Sequence, residues 1–181
     1  MTKSPPTTTW KIDPTHSAAE FKVKHMMIAS VKGKFSGISG SLTLNEGDIT
    51  RSSVEASIPV ETVNTADAQR DGHLKSADFF DIEKFPTMTF QSTRIARTAP
   101  GEFTVIGDLT LHGVTRSVIF SVEGSTQPAK DPWGNLRIGA SATAKINRKD
   151  FGLVWNAALE TGGVLVGEDV SITLDVEFIQ G

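Results

Sequence analysis

The residues best able to do chemistry lie in one charged stretch, RDGHLKSADFF, at positions 70–80. Arg70 and His73 stand three positions apart, which makes them neighbours on the surface of a helix. A guanidinium fork binds phosphate or carboxylate, and an imidazole titrates near neutral pH. Phe79 and Phe80 follow directly and offer apolar surface. The spacing indicates a polar, anion-binding group of side chains beside an apolar wall.

A plainer interpretation of the same stretch stays open. Its charges are then the solvated face of a helix that covers one end of the fold, and Phe79 and Phe80 are ordinary core residues. Arg70 and His73 are, in that case, ion partners along the helix side. The two interpretations differ only in which way these four side chains point.

A second dense cluster, INRKDFGLVWN, occupies positions 146–156. Arg148 and Asp150 end a predicted strand, and Trp155 follows. The cluster forms either a polar and aromatic rim around a binding site or a strand end with an exposed ion pair, which contributes little to stability. Arg148, Asp150 and Trp155 are therefore candidate ligand-binding residues.

Other chemistries have little support in the sequence. The four histidines show neither the HxH nor the HExxH spacing of a metal site, and the chain has no cysteine. It also has no glycine-rich nucleotide loop and no GxSxG motif. No metal and no cofactor are expected. An enzyme using His73 as acid or base and Arg70 as an anion clamp is kept as an alternative to a binding protein.

β-Strands must position the candidate site residues, because apolar and polar residues alternate with a period of two along most of the chain. Strict alternation of apolar and polar residues indicates strands with one buried face. Eight such runs are predicted, at 21–26, 39–44, 54–60, 87–95, 103–111, 118–122, 136–146 and 170–178. Short turns rich in glycine and proline separate them, which is typical of a sandwich or an up-and-down barrel. Small inward residues at Ala140, Ala142 and Ala144 favour a barrel with a cavity.

The stretch at 65–77 is predicted to be a short helix near one end of this β structure. Thr65 is the expected N-cap, and Asp71 with Lys75 forms a favourable i,i+4 pair. Gly72 is costly in a helix interior and indicates a break or the close approach of another backbone. Pro86 ends any helix and returns the chain to strand.

Composition predicts a single soluble domain. The chain has 181 residues, 22% of them charged, and a net charge of −3. Residues 1–9 are expected to be a flexible segment and residues 10–181 one barrel domain. The lysine-rich strands at 21–35 resemble a surface for single-stranded nucleic acid, but the negative net charge argues against nucleic acid as a partner. No run is apolar enough for a transmembrane segment or a signal peptide, so a cytoplasmic location is expected.

Four motifs in order make the chain closely similar to the YceI-like family. They are IDPTHSAAEFKVKHMMIASVKGKF, RDGHLKSADFFDIEKFPTMTF, GDLTLHGVTRSV and INRKDFGLVWN. The resemblance implies an all-β, eight-stranded antiparallel lipocalin-like barrel with a helix near one end. It also implies a pocket for a long-chain isoprenoid or a similar fatty amphiphile, a homodimer, and a role in transport, storage or stress response. These implications make a non-enzymatic lipid-binding protein the leading functional hypothesis, with a solidly packed structural or interaction protein as a further alternative.

Overall fold

The predicted strands close into one antiparallel barrel. The computed structural model describes residues 3, 6–125 and 127–181. Within them the strands are β1 (Thr7–Ile12), β2 (Ala18–His25), β3 (Ala29–Phe35), β4 (Ser39–Asn45), β5 (Ser53–Pro59), β6 (Thr87–Ala99), β7 (Glu102–Leu111), β8 (Val114–Gly124), β9 (Ala129–Lys130), β10 (Leu136–Asn147) and β11 (Val166–Gln180). The helix α1 spans Ala68–Lys75, and 3-10 turns occupy Pro14–His16, Ile49–Arg51, Val60–Thr62 and Arg148–Phe151.

The barrel closes because the long strand β11 is paired on both edges. One edge pairs with β10, and the ring then runs through β8, β7, β6, β5, β4 and β1 back to β11. The other edge of β11 pairs with two strands: with β1 through residues 178–180 and with β2 through residues 166–175. β1 and β2 thus form one broken strand, and β3 and β4 form another. The eight-stranded up-and-down barrel is confirmed, and the sandwich alternative was wrong.

The N-terminal boundary differs from the prediction. β1 begins at Thr7 and pairs with β4, so residues 7–9 belong to the barrel rather than to a flexible segment. Residues 1, 2, 4 and 5 of that expected segment lie outside the described residues. Trp10 explains the early start, because its side chain is 1% exposed and belongs to the core.

Inward side chains form two buried clusters. The first comprises Trp10, Ile12, Ile38, Leu44, Ile138 and Phe178. The second comprises Leu109, Leu111, Val118, Phe120, Phe151 and Leu153. Alternation along each strand sends every second side chain to this interior, which accounts for the strict period of two in the sequence.

The helix is shorter than predicted, and its cap differs. Asp67 is the N-cap, since its carboxylate accepts a hydrogen bond from the backbone N–H of Arg70. Thr65 instead donates from its hydroxyl and its backbone N–H to Asp71. The ammonium of Lys75 does not lie within 4.0 Å of the Asp71 carboxylate, so the expected Asp71–Lys75 pair was wrong. The helix continues through Gly72, and no neighbouring atom lies within 4 Å of where its Cβ would be. No helix among the described residues has the length and apolar character needed to cross a bilayer.

Candidate ligand-binding cavity

The barrel encloses a cavity of about 460 Å³. This volume lies within the roughly 300–1,000 Å³ typical of small-molecule sites. Its walls are inward-facing aliphatic and aromatic side chains. They include Phe21, Val23, Val31, Phe35, Leu42, Val54, Ile58, Met88, Phe90, Val105, Phe120, Val122, Ala140, Ala142, Ile172, Leu174 and Val176. An interior of this composition favours an apolar chain over a polar ligand.

Small residues keep this space open. A Cβ added at Gly33 would overlap the ring of Phe21, and one added at Gly107 would overlap the ring of Phe90. Each phenylalanine therefore lies across a glycine of the adjacent strand instead of projecting further into the barrel. Ala142 adds only a methyl group to the lining. Of the inward alanines noted in the sequence, Ala140 and Ala142 border the cavity, as expected for that size of residue, whereas Ala144 packs against the second buried cluster.

The cavity is long. Along β11 its lining extends from Val166 to Phe178, twelve positions apart. At about 3.3 Å per residue, that distance is roughly 40 Å measured along the strand. Because barrel strands tilt by about 35–45° from the barrel axis, the same span is roughly 30 Å along the axis. Such a length suits an extended hydrocarbon chain better than a compact ring system.

An aromatic cluster borders the cavity beside α1. The ring centroid of His73 lies 5.0 Å from that of Phe79 and 4.7 Å from that of Trp155, both in edge-to-face geometry. Phe79 and Trp155 are themselves 5.3 Å apart. His73 Nε2 lies 2.8 Å from a carboxylate oxygen of Asp78. Asp78 was not among the predicted site residues, although it stands only five positions after His73.

Arg70 lies beside this cluster on an exposed face. Its Nε donates to the Thr65 hydroxyl at 2.8 Å, and its Nη2 donates to the Thr65 carbonyl at 2.7 Å. No carboxylate among the described residues lies within 4.0 Å of its guanidinium. The buried Thr65 therefore orients Arg70, while its positive charge has no ion partner in that part of the chain. The sequence offered no signal for this contact beyond the closeness of the two residues.

Arg148 lines the cavity but serves mainly to hold the backbone. Its side chain is 4% exposed, and it donates to the carbonyls of Leu153, Trp155, Val166 and Gly167. Burial lowers the pKa of the guanidinium from its usual range. These four bonds use most of its five N–H donors. Arg148 thus fixes the segment that carries Trp155 against the start of β11.

The seven predicted site residues do not all converge. Arg70, His73, Phe79, Phe80, Arg148 and Trp155 line the cavity. Asp150 is exposed and lies outside the lining. In a 3-10 turn, residues three apart share a face, so Arg148 and Phe151 point inward together and Asp150 points to solvent. Ligand contact by each of the seven residues remains a prediction.

A separate polar cluster lies at the opposite end of β11. Arg137 donates to carboxylates of Asp13, Asp131 and Glu177, each at 2.8 Å. Hydrogen bonds from Arg137, and then from Thr15 and His16, hold the pKa of Asp13 well below its usual range. Asp13 and Glu177 also lie close to His16, but the guanidinium already occupies the space between the carboxylates. This cluster is an ion-pair network that ties β1, β10 and β11 together.

The fold and the site together define a class of protein: a closed up-and-down β-barrel whose apolar interior can hold one elongated ligand. The YceI-like domain model matches residues 10–178, and the chain belongs to that family. A UPF0312 protein of Staphylococcus aureus (strain N315) is 36% identical over 171 residues, covering 94% of this chain and 97% of the relative.

Solved structures share the architecture. The YceI protein of Campylobacter jejuni has 29% identity and a TM-score of 0.73, with 88% of this chain and 91% of that chain covered. A polyisoprenoid binding domain from Saccharophagus degradans has 15% identity and a TM-score of 0.67, with 96% and 99% covered. At that identity the second likeness establishes the fold alone.

Proposed function

We propose that this protein binds a long-chain isoprenoid or a similar amphiphile in the barrel cavity, without catalysis, for transport, storage or sequestration. The observation that carries the proposal is the long, almost wholly apolar cavity of about 460 Å³. The polyisoprenoid binding domain of Saccharophagus degradans has the same fold, and its name describes the proposed ligand class. Membership of the YceI-like family supports the same class of function.

The energetics favour a chain-like ligand. Each methylene group moved from water into the cavity contributes about 0.8 kcal/mol. Immobilising the ligand and ordering its chain offset part of this gain. A ligand drawn from a membrane gains less still, since it leaves an apolar environment. The affinity therefore depends on chain length up to the length that the cavity can hold.

Head-group selection is proposed to occur beside α1. Arg70 offers a positive charge with no carboxylate within 4.0 Å among the described residues. His73 and Trp155 add polar edges next to the apolar wall. An arginine fork matches phosphate or carboxylate oxygens. A ligand with an anionic head group at this end and its chain along the barrel satisfies both parts of the lining.

The direct test is to identify what the purified protein carries. Organic extraction of protein isolated from its native host, followed by mass spectrometry, is expected to yield an isoprenoid or acyl amphiphile in a fixed ratio to protein. Titration of delipidated protein with prenyl alcohols and prenyl phosphates is expected to show saturable binding. An extract without lipid, together with no binding of either probe, would exclude the proposal.

Catalysis on the same amphiphile is the second candidate. The observation in its favour is the 2.8 Å contact between His73 Nε2 and the Asp78 carboxylate at the cavity wall, since a carboxylate can orient a histidine that transfers protons. Turnover of prenyl phosphates and esters by wild type and His73→Ala tests it. A rate above background that is lost in the variant would favour an enzyme over a carrier.

The homodimer and the cytoplasmic location expected from the sequence form part of this proposal. Light scattering coupled to size-exclusion chromatography measures the first, and cell fractionation measures the second. A stress-related role would appear as increased expression under oxidative or osmotic challenge.

A further inference from the structure

The hairpin formed by β2 and β3 has an unusual turn. His25 accepts the backbone hydrogen bond of Ile28, and Met26 and Met27 occupy the two central positions. Their φ angles are 51° and 60°, in the left-handed region. Tight hairpin turns with two positive φ angles strongly prefer Asn-Gly or Asp-Gly. Methionine at both positions therefore adds local backbone strain, and strain of this kind clusters at functional sites.

The turn forms an exposed apolar tip, defined here as Met26, Met27 and Ile28. Met27 is 65% exposed and Ile28 is 80% exposed, and Met26 is also on the surface. Three consecutive exposed apolar side chains at the end of a hairpin differ from the scattered single ones that any protein surface carries. Methionine is flexible and adapts to irregular apolar surroundings.

The outer face of the hairpin behind the tip is basic. Lys22, Lys24, Lys32 and Lys34 are exposed, and Lys22 lies directly opposite Lys32 across the two strands. Like charges in that register destabilise a sheet. Among the described residues, none of these lysines has a carboxylate within 4.0 Å. The hairpin has one acidic residue, Glu20, so it is positive within a chain of net charge −3.

The inner face of the same hairpin belongs to the cavity. Phe21, Val23, Val31 and Phe35 line it, and the lining continues to His25 at the base of the tip. Any surface that the tip contacts would therefore lie beside the end of the cavity that α1 and Trp155 also border. This arrangement places a ligand's point of entry near whatever the tip contacts.

We propose that the hairpin tip inserts into the interface of an anionic lipid bilayer while the lysines behind it contact acidic headgroups. The apolar side chains of the tip would enter the boundary of the acyl chains, and the lysines behind the tip would lie at the level of the acidic headgroups. This inference deepens the proposed function and rests on it, since a binder of membrane-resident amphiphiles must meet the bilayer. The net negative charge of the remaining chain orients the hairpin toward the membrane.

The test uses the full chain and separates docking from folding. In the double variant Met26→Asn with Met27→Gly, the turn has the residues that its geometry prefers, so the free energy of unfolding should stay equal or rise. Vesicles of phosphatidylcholine mixed with phosphatidylglycerol are the probe, and co-sedimentation measures the partition constant. Wild type should bind them and should not bind pure phosphatidylcholine.

The charge contribution has its own variant and control. Lys22→Gln with Lys32→Gln should weaken the partition constant about 30-fold. The control pair Lys11→Gln with Lys130→Gln removes the same charge from exposed positions on β1 and β9, at the opposite end of the barrel, and should change it little. Trp133→Ser removes another apolar residue, 82% exposed, in the loop before β10.

Each outcome decides the proposal. Loss of vesicle binding in both hairpin variants, with the controls unchanged, supports it. The proposal is overturned if wild type does not bind the vesicles, or if only Trp133→Ser loses vesicle binding. It is also overturned if the hairpin variants change oligomeric state while their vesicle binding stays unchanged. Binding of geranylgeraniol and geranylgeranyl phosphate in solution is measured in parallel: if neither binds and the extract holds no lipid while vesicles bind, the proposed function fails and docking stands.

Discussion

Replacing Ala142 with leucine tests whether the barrel interior holds the chain of the ligand. Ala142 lies on β10 between Val122 of β8 and Leu174 of β11, and it lines the cavity. Leucine adds three carbon atoms at this point of the wall. They occupy space that a bound chain would otherwise fill.

The expected magnitude follows from the displaced contacts. Three added carbons exclude about three methylene groups of the ligand, each worth about 0.8 kcal/mol, or about 2.4 kcal/mol together. That loss weakens binding of a long chain about 50-fold. A chain too short to reach Ala142 loses nothing, so the effect should appear only above a threshold length.

The assay is competition against a fluorescent acyl probe by prenyl alcohols of graded length. Thr143→Leu is the matched control, because Thr143 is the next residue along β10 and faces solvent. Urea unfolding checks that both variants fold; Ala142→Leu should be as stable as wild type, since it fills empty space. If a folded Ala142→Leu bound long and short chains like wild type, the ligand would not occupy this part of the barrel.

Three further predictions concern charged residues. Arg70→Ala should weaken the binding of prenyl phosphates at least tenfold more than the binding of prenyl alcohols of equal length in the same assay, because charge-assisted hydrogen bonds are lost. Arg148→Met should lower the free energy of unfolding in urea by about 3 kcal/mol or more, because four carbonyls lose their donor. The lowered pKa of Asp13 stabilises the fold above the unfolded value of 3.8, and this stability is lost as pH falls toward the folded value. Asp13→Asn should therefore reduce the acid dependence of unfolding below about pH 4, by up to about 1.4 kcal/mol per pH unit.

The contrary outcomes are equally specific. Equal losses for phosphate and alcohol would make Arg70 a structural residue of the helix rather than a head-group ligand. An Arg148→Met variant as stable as wild type would mean that other donors or water satisfy the four carbonyls. An unchanged slope of stability against pH in Asp13→Asn would assign acid sensitivity to other carboxylates. Asp175, exposed on β11, supplies the matched Asp175→Asn control for the last measurement.

Local sequence determined most of the barrel. Alternation is a property of neighbouring residues, and a strand that buries one face requires it wherever the strand lies. The inward alanines of β10 likewise predicted a cavity. The N-terminal strand was missed because TTTWKI has little alternation before Trp10, and its pairing with β4 and β11 comes from distant parts of the chain.

Side-chain directions outside the strands required the tertiary structure. The sequence alone grouped Arg148 with Asp150, but only the 3-10 turn turns one inward and the other to solvent. Arg148 satisfies carbonyls that lie 5 to 19 residues further along the chain, which no local pattern encodes. The lysines of the hairpin were visible as a pattern, yet only the strand register places them behind an exposed apolar tip and beside the cavity. Alternation is decided within a few residues, whereas the surroundings of a turn or loop are decided by segments that meet only when the barrel closes.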